Sequence, residues 1–582
     1  MKIRLHTLSP LHIGTGEELA PLDYVAYNNT FYRLTQKQFL DFIGEIPDGA
    51  KKFAGWVSEQ YAAMKDIRDN RELSEMEGQM NAYSFCKDIG QEQQFVNFLN
   101  DKTNGVFRAP LIIDERTRQR SRGAKSIALG RVREAIKNGG NKPLVPGSSI
   151  KGALRTAVFY HYLTQYADSV RIERLVRDQL NERRARKERF ALPLAHEAFF
   201  CDVEDQHSGR VKKDDEKMDL FKLVRISDGH VAGDGHALSL AKVNIYLVEK
   251  QMSRDRKQSF FIASQQPQAS YCENIVPGSV IEAEIDFDID FLLRLRPLIK
   301  DGAVPAGDFR QWIGIEEKVK QLFGLGLNTL TEANKNEKKA EVIRHLLDCL
   351  KIFSQKQLQA THDWLAHFEK NDPKDFYTSR IKKGLTPVFQ REEASLLHLG
   401  YATGFDGMTA LLYFLADDRR KALFKQVMEK FNLGNKPGNR GQYTPNPDRF
   451  PKSKRLVETP NAILPMGWLE MLEEGQEPEP VKVAETDTAS VEAPATVAEP
   501  TAPAEPKCYE GEINFKRPPE LDAVVVKSGR PNIVKVYFRL DNMPEMELMG
   551  YRNPIEENAV VAVQSNFNKK RVLLQVTYLR HK

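Results

Sequence analysis

Cysteine is scarce in this chain of 582 residues, and its five thiols, Cys86, Cys201, Cys272, Cys349 and Cys508, include no C-x-x-C pair. That scatter excludes a disulfide framework and the usual cysteine-paired zinc sites, and it fits reduced thiols in the cytoplasm. Long apolar runs are missing as well. No stretch approaches the roughly 20 apolar residues that a membrane span needs, and the start, MKIRLHTLSPLHIG, carries no apolar leader segment. A membrane partner is therefore not expected. Nor is there an excess of one charge: 85 Lys and Arg stand against 80 Asp and Glu, a net +5. So small a surplus gives no molecule-wide attraction for nucleic acid, and any basic surface must come from local clustering. With 41% hydrophobic and 28% charged residues, the chain is long enough for two or more globular domains.

One such cluster leads into the segment Leu144 to Tyr162, LVPGSSIKGALRTAVFYHY. Pro146-Gly147 sets a turn, Ser148 or Ser149 is placed to cap a helix, and free amides at the helix start favour an anion. Lys151 and Arg155, four apart, share one face, while Ile150, Leu154, Ala157 and Val158 form an apolar stripe for packing. An ordinary capped amphipathic helix would look similar, but the surroundings are unusually basic. Arg108, Arg116, Arg118, Arg120, Arg122, Lys125, Arg131, Arg133, Lys137 and Lys142 precede the helix, against Asp114, Glu115 and Glu134. GSSIKG lacks the G-x-x-x-x-G-K-[ST] spacing of a P-loop, which disfavours a nucleotide triphosphatase. The reading is a phosphate-backbone contact made by Gly147, Ser148, Ser149, Lys151, Arg155 and the arginine tract.

Strand and helix signals alternate along the chain, giving the α+β class. Ile3 and Leu5 alternate with polar residues, Tyr24 to Leu34 reads as a hairpin around Asn28-Asn29, and Ile281 to Phe287 alternates as a strand should. Helical insertions are expected over about 36–104 and 291–394. Residues 473–506, rich in Pro, Ala, Glu and Thr, have too few apolar residues to fold and read as a disordered linker. Residues 507–582 hold several short strand-like runs and suggest a small all-β barrel. If that barrel were OB-like, Phe515, Tyr537, Phe538 and Tyr551 would be candidate stacking rings beside Lys569, Lys570 and Arg571.

Four separated motifs carry a family resemblance: LSPLHIGTGEELAPLDYV (8–25), LVPGSSIKGALRT (144–156), DLFKLVRISDG (219–229) and RFPKSKRLVETPNAILPMGWLEM (449–471). In their order and spread, residues 1–472 resemble the CRISPR-associated RAMP superfamily, and within it the type III-A subunit that caps the 3′ end of crRNA. The resemblance implies ferredoxin-like (RRM-like) RAMP cores bearing the helical insertions. It implies crRNA and neighbouring RAMP backbone subunits as partners, and His12 and Gly14 of the first motif as part of the RNA surface. LHLGYATGFDGMT (397–409) matches the family's late glycine-rich segment only loosely. The linker and the C-terminal barrel lie outside the pattern.

Catalysis is not expected. Asp23 sits roughly where related backbone subunits carry a cleaving aspartate, and His12 beside Gly14 has the chemistry of a general base. A carboxylate after a proline turn is more often turn chemistry, and a strand-end histidine is more often satisfied by nearby backbone. ISDGHVAGDGH offers Asp228, His230, Asp234 and His236 as metal ligands, but its glycines favour a loop. No metal or cofactor is therefore assigned. The function expected is a non-catalytic crRNA-binding subunit. The alternatives are a RAMP endoribonuclease acting through Asp23 or His12, and a scaffold recruiting a trimming nuclease.

Overall fold

A computed structural model describes residues 1–481 apart from 69, 113–125, 183–189, 206–209, 213–217, 234–236, 253–258, 263–269, 301–309, 373, 409–410, 435–444 and 474, together with five strands between Glu520 and His581. The chain divides into two compact units, Met1–Thr488 and Ala489–Lys582. Arg116, Arg118, Arg120, Arg122 and Lys125 lie outside the described residues, as do Asp234, His236, Phe515, Phe538, Tyr551, Lys569, Lys570, Arg571 and most of 473–506.

The first sheet of the larger unit runs in the order Leu396–His398, Trp468–Glu473, Lys2–Thr7, Val280–Phe287, Gly229–Val231, Leu144–Val145. The N-terminal strand is central and antiparallel to both neighbours, with Leu5 opposite Ile281 on one side and Met471 on the other. Alternation decides which face is buried: Ile281, Ala283, Ile285 and Phe287 point inward while Glu282 and Glu284 are exposed. Onto this face packs the Gly147–Gln165 helix, whose Ile150, Leu154, Ala157 and Val158 are fully buried, as the stripe requires. The 37-residue Lys335–Asn371 helix joins the same core through Val342, Leu346, Leu350 and Phe353, and Tyr160 meets Phe353 with ring centroids 5.3 Å apart.

The second sheet runs Gly14–Leu19, Val132–Ala135, Ser270–Ile275, Leu238–Met252, Phe107–Ile112, Thr30–Arg33, Tyr24–Tyr27, with Ser453–Glu458 also pairing with Leu238–Met252. Its hairpin turns at Asn28 and Asn29, both at positive φ (47° and 59°), the conformation that a two-residue hairpin turn demands. Between the hairpin and Phe107 stand five helices from Gln36 to Asn100, which bury their own aromatic cluster of Phe39, Phe42, Trp56, Phe85 and Phe95. No helix among the described residues is long and apolar enough to cross a membrane. In the smaller unit five strands close into a barrel in the order Glu520–Lys527, Ile533–Tyr537, Glu545–Met549, Leu573–His581, Val560–Phe567, with Leu521, Ala523, Val536, Leu548 and Val563 inside.

Candidate nucleic-acid interface

The basic helix begins at Gly147, two or three residues earlier than a cap at Ser148 or Ser149 would place it. Pro146 is the N-cap residue and has no capping side chain, so the expectation that Ser148 or Ser149 caps the helix is corrected. The cap comes from a distant segment: the Gly147 amide donates to Oδ1 of Asp228 at 2.8 Å. A serine inside the first turn cannot reach that amide, whereas a carboxylate arriving from the turn between the Val224–Ile226 and Gly229–Val231 strands can, and it favours the positive helix end. Glycine is required at 147, because a Cβ there would fall 2.3 Å from the Ile226 carbonyl.

Lys151 and Arg155 do share a face, and that face meets the DLFKLVRISDG segment. The Lys151 ammonium donates to the Val224 carbonyl at 2.6 Å, and burial pushes its pKa down. Arg155 pairs with Asp219 at 2.7 Å and lies 3.9 Å from the Phe199 ring centroid. Asp219 also accepts from the Phe221 amide at 2.8 Å. Two motifs separate in sequence thus form one unit, in which Asp219 and Asp228 hold both ends of the basic face. Of the candidate ligands in ISDGHVAGDGH, Asp228 serves the helix and His230 lies in the strand beside Leu144, while Asp234 and His236 lie outside the described residues.

A second constellation gathers around the first motif. His12 is buried, and its Nδ1 lies 2.7 Å from the Glu273 carbonyl, which accepts the ring N–H. Burial lowers its pKa to about 4, with Arg133 and Lys137 acting in the same direction, so the ring is neutral at pH 7. His12, named from sequence as part of the RNA surface, is buried here, and its ring helps to seat a turn. Gly400, at φ +82°, brings its Cα against the His12 carbonyl so closely that a Cβ would fall 2.3 Å away, and the Tyr401 amide donates to that carbonyl at 2.9 Å. Gly14, on the exposed side, passes the His12 ring with room for no Cβ beyond 2.9 Å from Nε2.

Tyr401, so placed, has its ring edge to the His12 imidazole with centroids 5.8 Å apart. Two guanidinium groups lie against it, Arg133 at 4.7 Å and Arg455 at 4.9 Å from the ring centroid. Each leaves its Nε without a hydrogen-bond partner, and the carboxylate near Arg133, Glu18, is 3.7 Å away. Arg131, two residues earlier, is exposed. Behind this platform the charges are paired: Lys137 with buried Glu273, and Lys454 with Asp406 at 2.8 Å. Four elements meet here: the turn after the N-terminal strand, the Val132–Ala135 strand, the 397–408 segment and the Ser453–Glu458 strand. All four lie in stretches noted from sequence, where neither Tyr401 nor Arg455 stands out. The signal was Gly400, a glycine directly before an aromatic residue in a loop.

Asp23 caps a turn. Its Oδ2 accepts from the Ala20 amide at 2.8 Å, closing the Pro21–Asp23 turn.

The RAMP superfamily model matches residues 4–348. The chain is similar to the CRISPR system protein Csm5 of Methanocaldococcus jannaschii, with 21% identity over 483 residues covering 81% of this chain and 88% of the relative. It is also similar to Csm5 of Streptococcus thermophilus, with 27% identity over 161 residues, 27% of this chain and 36% of that one. Among solved structures, a chain of a cryo-EM Csm–crRNA–target RNA ternary complex of a type III-A CRISPR–Cas system aligns at 20% identity and TM-score 0.46, covering 81% of this chain and all of that one. The crystal structure of T. onnurineus Csm5 aligns at 19% identity and the same TM-score, covering 80% and 99%.

Proposed function

The chain belongs to the RAMP superfamily, and from that premise we propose that it is a crRNA-binding subunit of a type III-A CRISPR effector complex that caps the filament at the crRNA 3′ end. Its similarity to Csm5 over most of both lengths supports the assignment to that complex. The observation that carries the RNA-binding reading is the Tyr401 platform. An aromatic ring flanked by Arg133 and Arg455 offers a base a stacking face and a phosphate two cations, a combination suited to single strands and indifferent to sequence. Arg131 and the arginine tract at 116–125 extend the same basic stretch of sequence, and Gly14 lets a backbone approach closely. Lys151 and Arg155 support the RNA surface by fixing the Gly147 helix to its neighbour.

The finer architecture belongs to the same proposal. The first sheet with its Gly147 helix is read as a ferredoxin-like core within residues 1–472, and the barrel in 507–582 as OB-like, since its strands close in the order 1-2-3-5-4. The subunit is read as non-catalytic. His12 is buried with its Nδ1 held by the Glu273 carbonyl and Asp23 is engaged by a turn amide, so both side chains serve the local structure.

The test is assembly of the effector complex with Arg133→Gln/Arg455→Gln or Tyr401→Ala, followed by sequencing of the bound crRNA 3′ ends. Loss of guide RNA or of a defined 3′ boundary is expected. Unchanged ends and occupancy in both variants refute the assignment of the platform.

A further inference from the structure

We infer that His161, His345 and Cys349 form a binding site for a zinc-class transition-metal ion that ties the Gly147–Gln165 helix to the Lys335–Asn371 helix. One potential ligand atom from each residue lies within 4.8 Å of the other two. His345 and Cys349 are four apart on one helix, so both side chains project from the same face. Their Nε2 and Sγ are 3.6 Å apart. Metal–sulfur and metal–nitrogen bonds of about 2.3 and 2.05 Å meeting at a tetrahedral angle put the two atoms about 3.6 Å apart, so this pair already has the separation of two ligands on one ion.

His161 supplies the third position from the other helix, with its ring centroid 5.5 Å from that of His345. Its Nδ1 is buried and has no hydrogen-bond partner, an orphaned polar atom for which a metal bond would account. Bringing a His161 nitrogen to bonding distance takes a movement of at most about 1.4 Å, since ligand nitrogens on a tetrahedral ion lie about 3.4 Å apart and the ligand atoms here are within 4.8 Å of one another.

The surroundings of His345 suit a ligand too. Its Nδ1 edge lies against Gly324, where an added Cβ would fall 3.1 Å from the ring, and the Leu322 carbonyl is a hydrogen-bond partner of the imidazole. An N–H held by a carbonyl on one side leaves the Nε2 lone pair, which in the metal-free chain accepts the Cys349 S–H, directed at the ion position and fixes the ring's orientation, the usual outer support of a ligating histidine. Two imidazoles and a thiolate select zinc-like, copper or cobalt ions over magnesium or calcium. A fourth position remains for water. On binding, the Cys349 S–H bond gives way to a sulfur–metal bond and one proton passes to solvent.

The experiment is a cobalt(II) titration of the purified, chelator-treated full chain, followed by zinc(II). One equivalent of cobalt is expected to produce a thiolate-to-metal charge-transfer band with tetrahedral d–d absorption, and zinc to remove both. Cys349→Ser abolishes the charge-transfer band. His161→Gln keeps the thiolate and weakens binding at least about tenfold. Zinc raises the melting temperature of the parent chain and of neither variant. No band on the parent chain, or a band that survives Cys349→Ser, overturns the site. If Cys349→Ser folds poorly, His161→Gln decides: lost affinity supports the site, and an unchanged titration overturns it.

Discussion

If Arg133 and Arg455 meet RNA phosphate, removing them must change how binding depends on salt, and Tyr401 must not. The perturbation is the double variant Arg133→Gln/Arg455→Gln beside Tyr401→Ala. Each cation that neutralises a single-strand phosphate contributes about 0.7 to the slope of log affinity against log salt, because it displaces a condensed counterion. Two cations therefore account for a slope difference of about 1.4, or roughly 25-fold less loss of affinity per decade of salt in the double variant. Tyr401 is uncharged. Its ring, held edge-on by His12 and flanked by both arginines, acts through stacking, worth about 1–3 kcal/mol per base. Tyr401→Ala should lower affinity about 5- to 150-fold at every salt concentration with the parent slope intact. Lys151→Ala/Arg155→Ala provides the contrast, since both cations already face protein acceptors. It should alter stability more than slope. The assay is fluorescence anisotropy with unstructured single-stranded RNA across a salt series, on the chain or on its assembled complex, with circular dichroism verifying the fold. A double variant with the parent slope refutes phosphate contact at this platform, and a Tyr401→Ala variant with parent affinity refutes stacking.

Asp228→Ala removes the remote cap of the Gly147 helix, which should cost about 1 kcal/mol and speed hydrogen exchange of the first-turn amides about fivefold. Gly400→Ala should destabilise the chain by at least about 1–2 kcal/mol, since φ is +82° and the new Cβ meets the His12 carbonyl. Gly16→Ala, at φ +94° with open space around it, should show only the backbone part in the same denaturation assay. Acid should weaken the fold through two buried histidines. His12 and His398 titrate near pH 4 when folded against 6.5 when exposed, so the unfolded chain gains protons first as pH falls. Their contribution is complete above pH 6.5 and declines to about pH 4, by up to roughly 3 kcal/mol for each ring at about 1.36 kcal/mol per pH unit. Asp406, its pKa lowered by Lys454 against the opposing effect of burial, acts only below 3.8 and leaves that limb untouched. His12→Gln should flatten the limb in denaturation measured from pH 4 to 7, and an unchanged limb refutes the assignment.

Much of the fold was legible because it follows from local rules. The buried stripe of Ile150, Leu154, Ala157 and Val158, the alternation from Ile281 to Phe287 and the Asn28-Asn29 turn are each fixed by residues within a few positions of one another. The candidate site was legible in its pieces and illegible in its pairings. Lys151 and Arg155 read as free cations because Val224 and Asp219, which engage them, are more than 60 positions away. Tyr401 read as one aromatic among many because the two arginines beside it come from positions 133 and 455. The His345–Cys349 spacing was present in the sequence, but its third member, His161, belongs to another helix. Periodicity reports which face of an element is buried and cannot report what arrives from elsewhere to cover it.

That distinction bears on how a basic sequence becomes a basic surface. A lysine donating to a buried carbonyl, or an arginine already paired with an aspartate, has exchanged its hydration and counterions for protein on folding. It has little left to release when RNA arrives, and so adds little to the salt slope. Counting lysines and arginines along 108–155 therefore overstates the electrostatic contact. Lys137 is paired with Glu273, Arg155 with Asp219 at 2.7 Å and Lys151 with a carbonyl, whereas Arg133 is set against the Tyr401 ring and its carboxylate neighbour, Glu18, is farther off at 3.7 Å. The measured slope, divided by about 0.7, counts the cations that remain available. If that count changes on removal of Arg133 and Arg455 and stays constant on removal of Lys151 and Arg155, the division drawn here between cations that build the fold and cations that hold RNA is correct.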